Sequence, residues 1–85
     1  MSPVSKEAFE RLLRSRLKYL DDDTEIDYDA ELRTLGLDSM AALDLLFELE
    51  DEFGVVFPEA LLVDETFSTA ARLYSTVESI AAGTR

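Results

Sequence analysis

The sequence contains no histidine and no cysteine, and it has only two prolines and three glycines. Without histidine and cysteine, the chain excludes Ser-His-Asp and Cys-His catalysis, thiolate zinc sites and a disulfide framework. Long apolar runs are also missing, since the longest, AALDLLF, contains an aspartate and is far shorter than a membrane span. The N-terminus is charged throughout and lacks the apolar centre of a signal peptide. A soluble, cytosolic protein is therefore expected.

The chain is short and acidic. Its 85 residues predict one domain, spanning residues 1–85, with a single compact core and no separate cofactor domain. The net charge of −11 is uneven: residues 1–20 carry five basic and two acidic side chains, whereas residues 21–52 carry thirteen acidic side chains against Arg33. Such a field repels nucleic acid and anionic membranes and attracts basic protein surfaces, although acidity also serves solubility alone.

Helical periodicity predicts an all-α fold, a small four-helix bundle of three longer helices and one short helix. Ser2 and Pro3 suit the cap and first turn of the first helix. The second helix is predicted from Ser39 to Phe53, with Gly54 as its C-terminal stop. The apolar stripes of the three longer helices are Phe9, Leu12, Leu13, Leu17 and Leu20; Ala42, Leu45, Leu46, Leu49 and Phe53; and Ala70, Leu73, Val77 and Ile80.

The remaining segments are a short helix and a long loop. The sequence EALLVD after Pro58 predicts the short third helix, and Ser68 or Thr69 can cap the last helix. Residues 21–38 show no sustained period and predict a long loop between the first two helices. Apolar residues in this loop can hold it to the core, namely Ile26, Leu32, Leu35 and Leu37. Its acids do not match an EF-hand, because the glycine and the final glutamate of that motif are replaced by Ile26 and Leu32. No metal site is expected.

The second helix carries more apolar residues than a core stripe requires. Met40, Leu43 and Phe47 form a second line at helical spacing, bordered by the acids Asp44, Glu48, Asp51 and Glu52. These apolar residues can pack under the long loop. Alternatively, they form an interaction surface with an apolar centre and a charged edge, in which Phe47 is the main partner contact. The basic residues of the first helix lie mostly off its apolar stripe, and a solvated outer face explains them.

Ser39 also admits two interpretations. Serine is a common helix cap, and capping alone would explain its position. The chain has no histidine to activate the hydroxyl, so Ser39 cannot act as a self-sufficient catalytic nucleophile. It can still accept a group from another enzyme, because a phosphodiester there would meet the positive end of the helix dipole.

The segment LGLDSM, followed by an acidic amphipathic helix ending in EDEFG, resembles the acyl carrier protein family. The family's Asp-Ser pair corresponds to Asp38 and Ser39, with Met40 where leucine or methionine is usual, and the order of helices matches over nearly the whole chain. The resemblance implies a non-enzymatic carrier, with Ser39 both capping the helix and holding 4′-phosphopantetheine, added from coenzyme A by a phosphopantetheinyl transferase. An acyl-activating ligase or acyltransferase would load the thiol, and downstream synthase or tailoring enzymes with basic docking patches would receive the thioester. A monomer is expected.

Departures from the family pattern narrow the subtype. Fatty-acid carriers usually have another acid soon after the serine, where this chain has Ala41 and Ala42. Peptidyl carriers commonly have histidine where Asp38 stands. The resemblance is therefore closest to discrete carriers of polyketide or mixed polyketide–peptide pathways, including antibiotic biosynthesis, while an aminoacyl or aryl carrier remains open. The rival to all of these is an unmodified acidic interaction domain.

Overall fold

The structure, a computed structural model, describes residues 4–21, 23–61 and 64–83. Three α-helices occur in this part of the chain: α1 (Lys6–Arg14), α2 (Ser39–Phe53) and α3 (Ala70–Gly83). The predicted all-α class is confirmed, and the predicted bounds of α2 are those observed. Within the same residues, no helix is long and apolar enough to cross a membrane.

The single short helix predicted after Pro58 is wrong in detail. Two 3₁₀ helices, Glu59–Leu61 and Asp64–Phe67, lie between α2 and α3. In the first of them the Leu61 N–H donates to the Pro58 carbonyl three residues earlier, at 2.9 Å, which is 3₁₀ rather than α geometry. In the described part of this connection, these short 3₁₀ pieces rather than a fourth α-helix bring the chain back to α3.

The first helix is shorter than its apolar stripe suggests. Ser5 is its N-cap, and the Ser5 Oγ accepts the Ala8 N–H at 3.2 Å. The predicted cap at Ser2 and Pro3 lies outside the described residues. Leu17 is buried although α1 has already ended, because successive turns continue the chain along the same side of the core. The stripe therefore predicted the buried face correctly but overestimated the helix.

The long loop is held to the core and to the start of α3. Its side chains Ile26, Leu32 and Leu37 are buried, as the sequence predicts, and Leu35 packs against them. The Leu32 N–H donates to the Ser68 carbonyl at 2.9 Å, and the Ala71 N–H donates to the Tyr28 carbonyl at 3.0 Å. These two hydrogen bonds join the loop to the N-terminus of α3, so that the loop forms one wall beside the start of α2.

The core lies between α2, α3 and the buried side of α1. The buried residues of α2 are Leu45, Leu46 and Leu49, those of α3 are Ala70, Leu73 and Val77, and Phe9 and Leu13 complete the set from α1. The predicted end of α2 and the predicted cap of the last helix are also observed. Gly54 terminates α2 in a left-handed conformation, with φ 62°, and Thr69 Oγ1 accepts the Arg72 N–H at the start of α3. The core thereby fixes the direction of α2 and the position of its first turn.

Candidate functional site

The start of α2 is capped by Asp38, and the predicted capping role of Ser39 is wrong. Asp38 has extended backbone angles, and its Oδ1 accepts the Ala41 N–H at 2.8 Å. A capping residue must stand just outside the helix with non-helical angles, whereas Ser39 is already the first helical residue. Because the aspartate one residue earlier takes the orphan N–H, the Ser39 hydroxyl is not needed for the cap. Its side chain is exposed.

The backbone that leads into α2 passes very close to the segment after α1. Gly36 has φ 106°, and a Cβ atom placed on it would lie 2.7 Å from Lys18 N and 3.0 Å from Tyr19 N. The Tyr19 N–H also donates to the Leu35 carbonyl at 3.0 Å. Only glycine combines this positive φ with so close an approach. The two segments are therefore fixed against each other immediately before the site.

Lys18 forms an ion pair with the capping carboxylate, its Nζ lying 2.8 Å from Asp38 Oδ2. The hydrogen bond from Lys18, followed by the hydrogen bond from the Ala41 N–H, holds the pKa of Asp38 below its ordinary value of 3.8. The same contact with Asp38 raises the pKa of Lys18 above its ordinary value of 10.5. At neutral pH, Asp38 is thus an ionised cap that accepts hydrogen bonds from both the Lys18 ammonium and the Ala41 N–H.

These shifts predict how the cap responds to pH. The contribution of Asp38 to stability is present above its unfolded pKa and is lost as pH falls through the lower folded pKa. The contribution of Lys18 is present below its unfolded pKa and is lost as pH rises through the higher folded pKa. An NMR titration of the Asp38 carboxyl carbon is expected to give a midpoint below 3.8. The midpoint should rise in Lys18→Met, and an identical midpoint in that variant would show that the ion pair does not form in solution.

A groove of about 930 Å³ opens beside Ser39. Apolar side chains from the loop, from α2 and from the second 3₁₀ helix line it, namely Leu37, Leu43, Leu46 and Phe67. Charged side chains line it as well, namely Lys18, Glu31, Arg33, Asp38 and Glu65. A group attached to the Ser39 hydroxyl would therefore start at the edge of a partly apolar, partly charged surface.

The second apolar line of α2 is exposed. The exposed fractions of Met40, Leu43 and Phe47 are 73%, 48% and 56%, so these residues do not pack under the long loop. Two further exposed apolar residues, Tyr19 at 76% and Val56 at 75%, were missed from the sequence. Tyr19 lies beyond the end of α1, although the apolar stripe predicted a helix that includes it. Val56 lies in a short connection that has no periodicity.

The acidic edge of α2 is partly paired within the chain. This corrects the interpretation that the basic residues of the predicted first helix form only a solvated outer face. Arg16 contacts both Asp44, at 3.7 Å, and Glu48. Arg11 lies 3.8 Å from Glu52. Sequence alone could not show this, because the paired residues are distant in the chain, Arg16 and Glu48 by 32 positions, and they pair only once the helices pack. None of the ion pairs among the described residues involves Asp51, which is exposed.

Comparison with known proteins identifies the class to which this site belongs. A family model described as "Phosphopantetheine attachment site" matches residues 7–82. The chain therefore belongs to the family of phosphopantetheine attachment-site domains, which carry covalently attached 4′-phosphopantetheine. The matched region is a non-catalytic carrier domain, as the sequence predicts.

One curated relative and several solved structures are similar to the chain. Orsellinic acid synthase ArmB of Armillaria ostoyae is 34% identical over 53 residues, which are 62% of this chain but only 2% of the synthase. Two solved complexes of an engineered Bradyrhizobium japonicum glycine:[carrier protein] ligase with a carrier protein from Agrobacterium tumefaciens also match. In the complex with AMP the TM-score is 0.77 at 24% identity, covering 87% of this chain and 99% of the matched chain. In the complex with ATP the TM-score is 0.65 at 29% identity, covering 85% of this chain and 99% of the matched chain.

The residues at the start of α2 fit a covalently attached phosphopantetheine. The exposed primary hydroxyl of Ser39 lies at the first helical residue, and Asp38 rather than Ser39 caps the helix. A groove opens beside it, and the Lys18 ammonium lies next to the Asp38 carboxylate. When bound, the group supplies a terminal thiol on a long arm, on which acyl groups are held as thioesters.

Proposed function

We propose that Ser39 is the attachment point and that a phosphopantetheinyl transferase modifies it with coenzyme A. Ser39 Oγ bonds to the phosphorus on the pantetheine side of the coenzyme A diphosphate, and the phosphoanhydride bond at that phosphorus breaks. Adenosine 3′,5′-bisphosphate leaves, and the hydroxyl proton passes to a base of the transferase, since this chain has no histidine. The observation that carries the proposal is the exposed Ser39 hydroxyl at the first residue of α2, beside the groove and unneeded for the cap.

The chain's own residues orient this hydroxyl. Asp38 closes the first turn of α2, and the buried residues Leu45, Leu46 and Leu49 fix the helix on the core. Gly36 sets the path of the backbone into the helix. The carrier therefore presents Ser39 from a rigid support, while the arm provides reach and raises the effective concentration of its cargo at successive enzymes.

The proposed cargo is an acyl intermediate of a specialised pathway, of polyketide or mixed polyketide–peptide type. The similarity to a domain-sized part of an orsellinic acid synthase supports it. A second candidate is an aminoacyl carrier loaded by a ligase, which the similarity to the carrier-protein chain of a glycine:[carrier protein] ligase complex supports. In both cases an acyl-activating ligase or an acyltransferase loads the carrier, and downstream synthase or tailoring enzymes receive the cargo.

Modification of the wild-type protein tests the attachment. After incubation with coenzyme A and a broad-specificity transferase, the intact mass is expected to rise by one phosphopantetheine, and peptide mapping is expected to place it on Ser39. The other serines provide an internal control, because Asp38 precedes Ser39 alone and no other serine follows an aspartate. An unchanged mass would favour an unmodified acidic interaction domain, and modification of a different serine would overturn the assignment of the site.

The proposed docking surface for the transferase and the loading enzyme is the outer face of α2. Its members are Met40, Leu43, Asp44, Phe47, Glu48 and Asp51. The exposed apolar line supplies contact area, and the acids suit a partner with basic residues around an apolar pocket. Because Arg16 already contacts Asp44 and Glu48, we assign the electrostatic part of docking mainly to Asp51.

Phe47→Ala tests the apolar part of this surface. Phe47 is 56% exposed, so its removal should leave α2 folded while the transferase kcat/KM falls about tenfold, as for a central interface residue. Val56→Ala is the control, because Val56 is also exposed, at 75%, but lies outside α2. Asp51→Lys should instead weaken modification most at low salt, since charge steering is screened as salt rises. Equal kcat/KM for wild type and Phe47→Ala would remove this face from the proposal.

A further inference from the structure

Attachment of the arm creates a charge problem at the start of α2. A phosphodiester on Ser39 carries one negative charge and lies one residue from Asp38, whose carboxylate is ionised at neutral pH. Like charges so close to each other repel, and both sit at an exposed turn. The N-terminus of α2 offsets part of this repulsion, but the cap already uses the Ala41 N–H. A carrier of this kind therefore benefits from a cation held beside the turn.

Lys18 is such a cation. Its Nζ lies 2.8 Å from Asp38 Oδ2, and the residue lines the groove that Ser39 also lines. It also lines a second, smaller depression, together with Asp38 and Met40. Arg16, the neighbouring cation, is already bridging Asp44 and Glu48. Lys18 is thus in contact with the cap and open to the side on which the arm begins.

The backbone of Lys18 is held in place although it lies outside α1. Gly36 packs directly against Lys18 N, and the Tyr19 N–H donates to the Leu35 carbonyl. Leu17, one residue earlier, is buried. A lysine ammonium has three donors, so it can bind the carboxylate and a second acceptor together. The position of the ammonium follows from the same close approach that directs the chain into α2.

We infer that Lys18 is a positioning residue for the attached arm, whose ammonium is shared between Asp38 and the phosphodiester on Ser39 and compensates the added charge. This inference rests on the proposed attachment at Ser39. In the unmodified protein, Lys18 only pairs with Asp38. In the modified protein, it would also contact the phosphodiester. The role is electrostatic, so arginine at this position should fulfil it and an uncharged side chain should not.

The test compares unmodified and modified forms of wild type, Lys18→Met, Lys18→Arg and Arg33→Met. Arg33→Met is the matched control, because Arg33 lines the same groove but is not paired with the cap. In wild type, Lys18→Arg and Arg33→Met, attachment is expected to change the melting temperature little. In Lys18→Met, the modified form is expected to melt roughly 2–4 °C below its own unmodified form at low salt, and the gap should close as salt rises.

NMR of the wild-type protein gives a readout that needs no variant. The Lys18 side-chain nitrogen resonance is expected to shift on attachment, whereas the Arg33 side-chain nitrogen should not. An equal melting gap in wild type and Lys18→Met, or an unmoved Lys18 resonance, would overturn the inference. Failure to obtain any modified protein would instead contradict the attachment at Ser39, so the two proposals fail in distinguishable ways.

Discussion

Replacing Ser39 with alanine is expected to abolish phosphopantetheine attachment completely while leaving the fold intact. The substitution removes the only atom that can form the new phosphodiester at this position. It leaves the cap in place, because Asp38 rather than Ser39 accepts the Ala41 N–H. Alanine is also the best helix former, so the change in free energy of unfolding should stay below about 1 kcal/mol. Intact mass after transferase treatment and thermal melting measure the two halves of this result.

Ser68→Ala is the control for the loss of a serine from the same groove. Ser68 lines the groove with Ser39, but its hydroxyl donates to the Glu65 carbonyl at 2.7 Å and no helix presents it outward. Modification of Ser68→Ala should therefore equal that of wild type. A mass gain on Ser39→Ala would show that the attachment point lies elsewhere, and a large loss of stability would show that the hydroxyl has a structural role.

Gly36→Ala is expected to be the most destabilising of the small substitutions near the site. Alanine must adopt φ near 106°, and its Cβ would lie 2.7 Å from Lys18 N and 2.9 Å from Lys18 Cβ. Backbone strain of this kind and the clash with main-chain atoms together should cost about 2–4 kcal/mol of unfolding free energy. The clash also displaces the backbone that leads into α2 and so moves the Ser39 hydroxyl, and modification should therefore slow in the fraction that stays folded. Chemical denaturation and transferase kinetics are the measurements.

Substitutions at Gly54 and Gly83 separate the cost of a positive φ from the cost of the close approach to Lys18. Gly54 also has a positive φ, of 62°, but nothing lies within 4 Å of its would-be Cβ, so Gly54→Ala should cost only about 1 kcal/mol. Gly83, the last residue of α3, has neither constraint, and Gly83→Ala should be close to neutral. If Gly36→Ala and Gly54→Ala cost the same, then φ alone matters and the close approach to Lys18 does not.

The parts of the fold that the sequence predicts are those governed by local periodicity and strong stop signals. The bounds of α2 follow from its apolar repeat and from Gly54, and both are observed as predicted. The buried positions of the loop, such as Leu32, follow from isolated apolar residues in an acidic segment. The length of α1 does not follow, because the apolar stripe continues through turns after Arg14 that bury Leu17 on the same side.

The site was predicted less completely than the fold. Ser39 lies at the start of α2 as predicted, but its predicted capping role is wrong. Aspartate and serine are equally good caps, and only the backbone angles decide which of two neighbours stands outside the helix. The ion pairs of Lys18 and Arg16 with α2 depend on the packing of distant segments. No local pattern carries that information.

The hydrogen bonds between the long loop and the start of α3 have a consequence for building chimeric carriers. Leu32 and Ser68 are joined through their backbones, as are Tyr28 and Ala71, so the two segments form one structural block although α2 separates them in the chain. Backbone hydrogen bonds do not depend on side-chain identity, but they do depend on the length and path of each segment. An exchange of α2 alone, from Ser39 to Gly54, therefore leaves this block intact, provided that the donor helix keeps the buried residues Leu45, Leu46 and Leu49, and it transplants the proposed docking surface. An exchange that cuts between residues 28 and 32 divides the block and needs the first turn of α3 from the same donor as the loop residues that it binds.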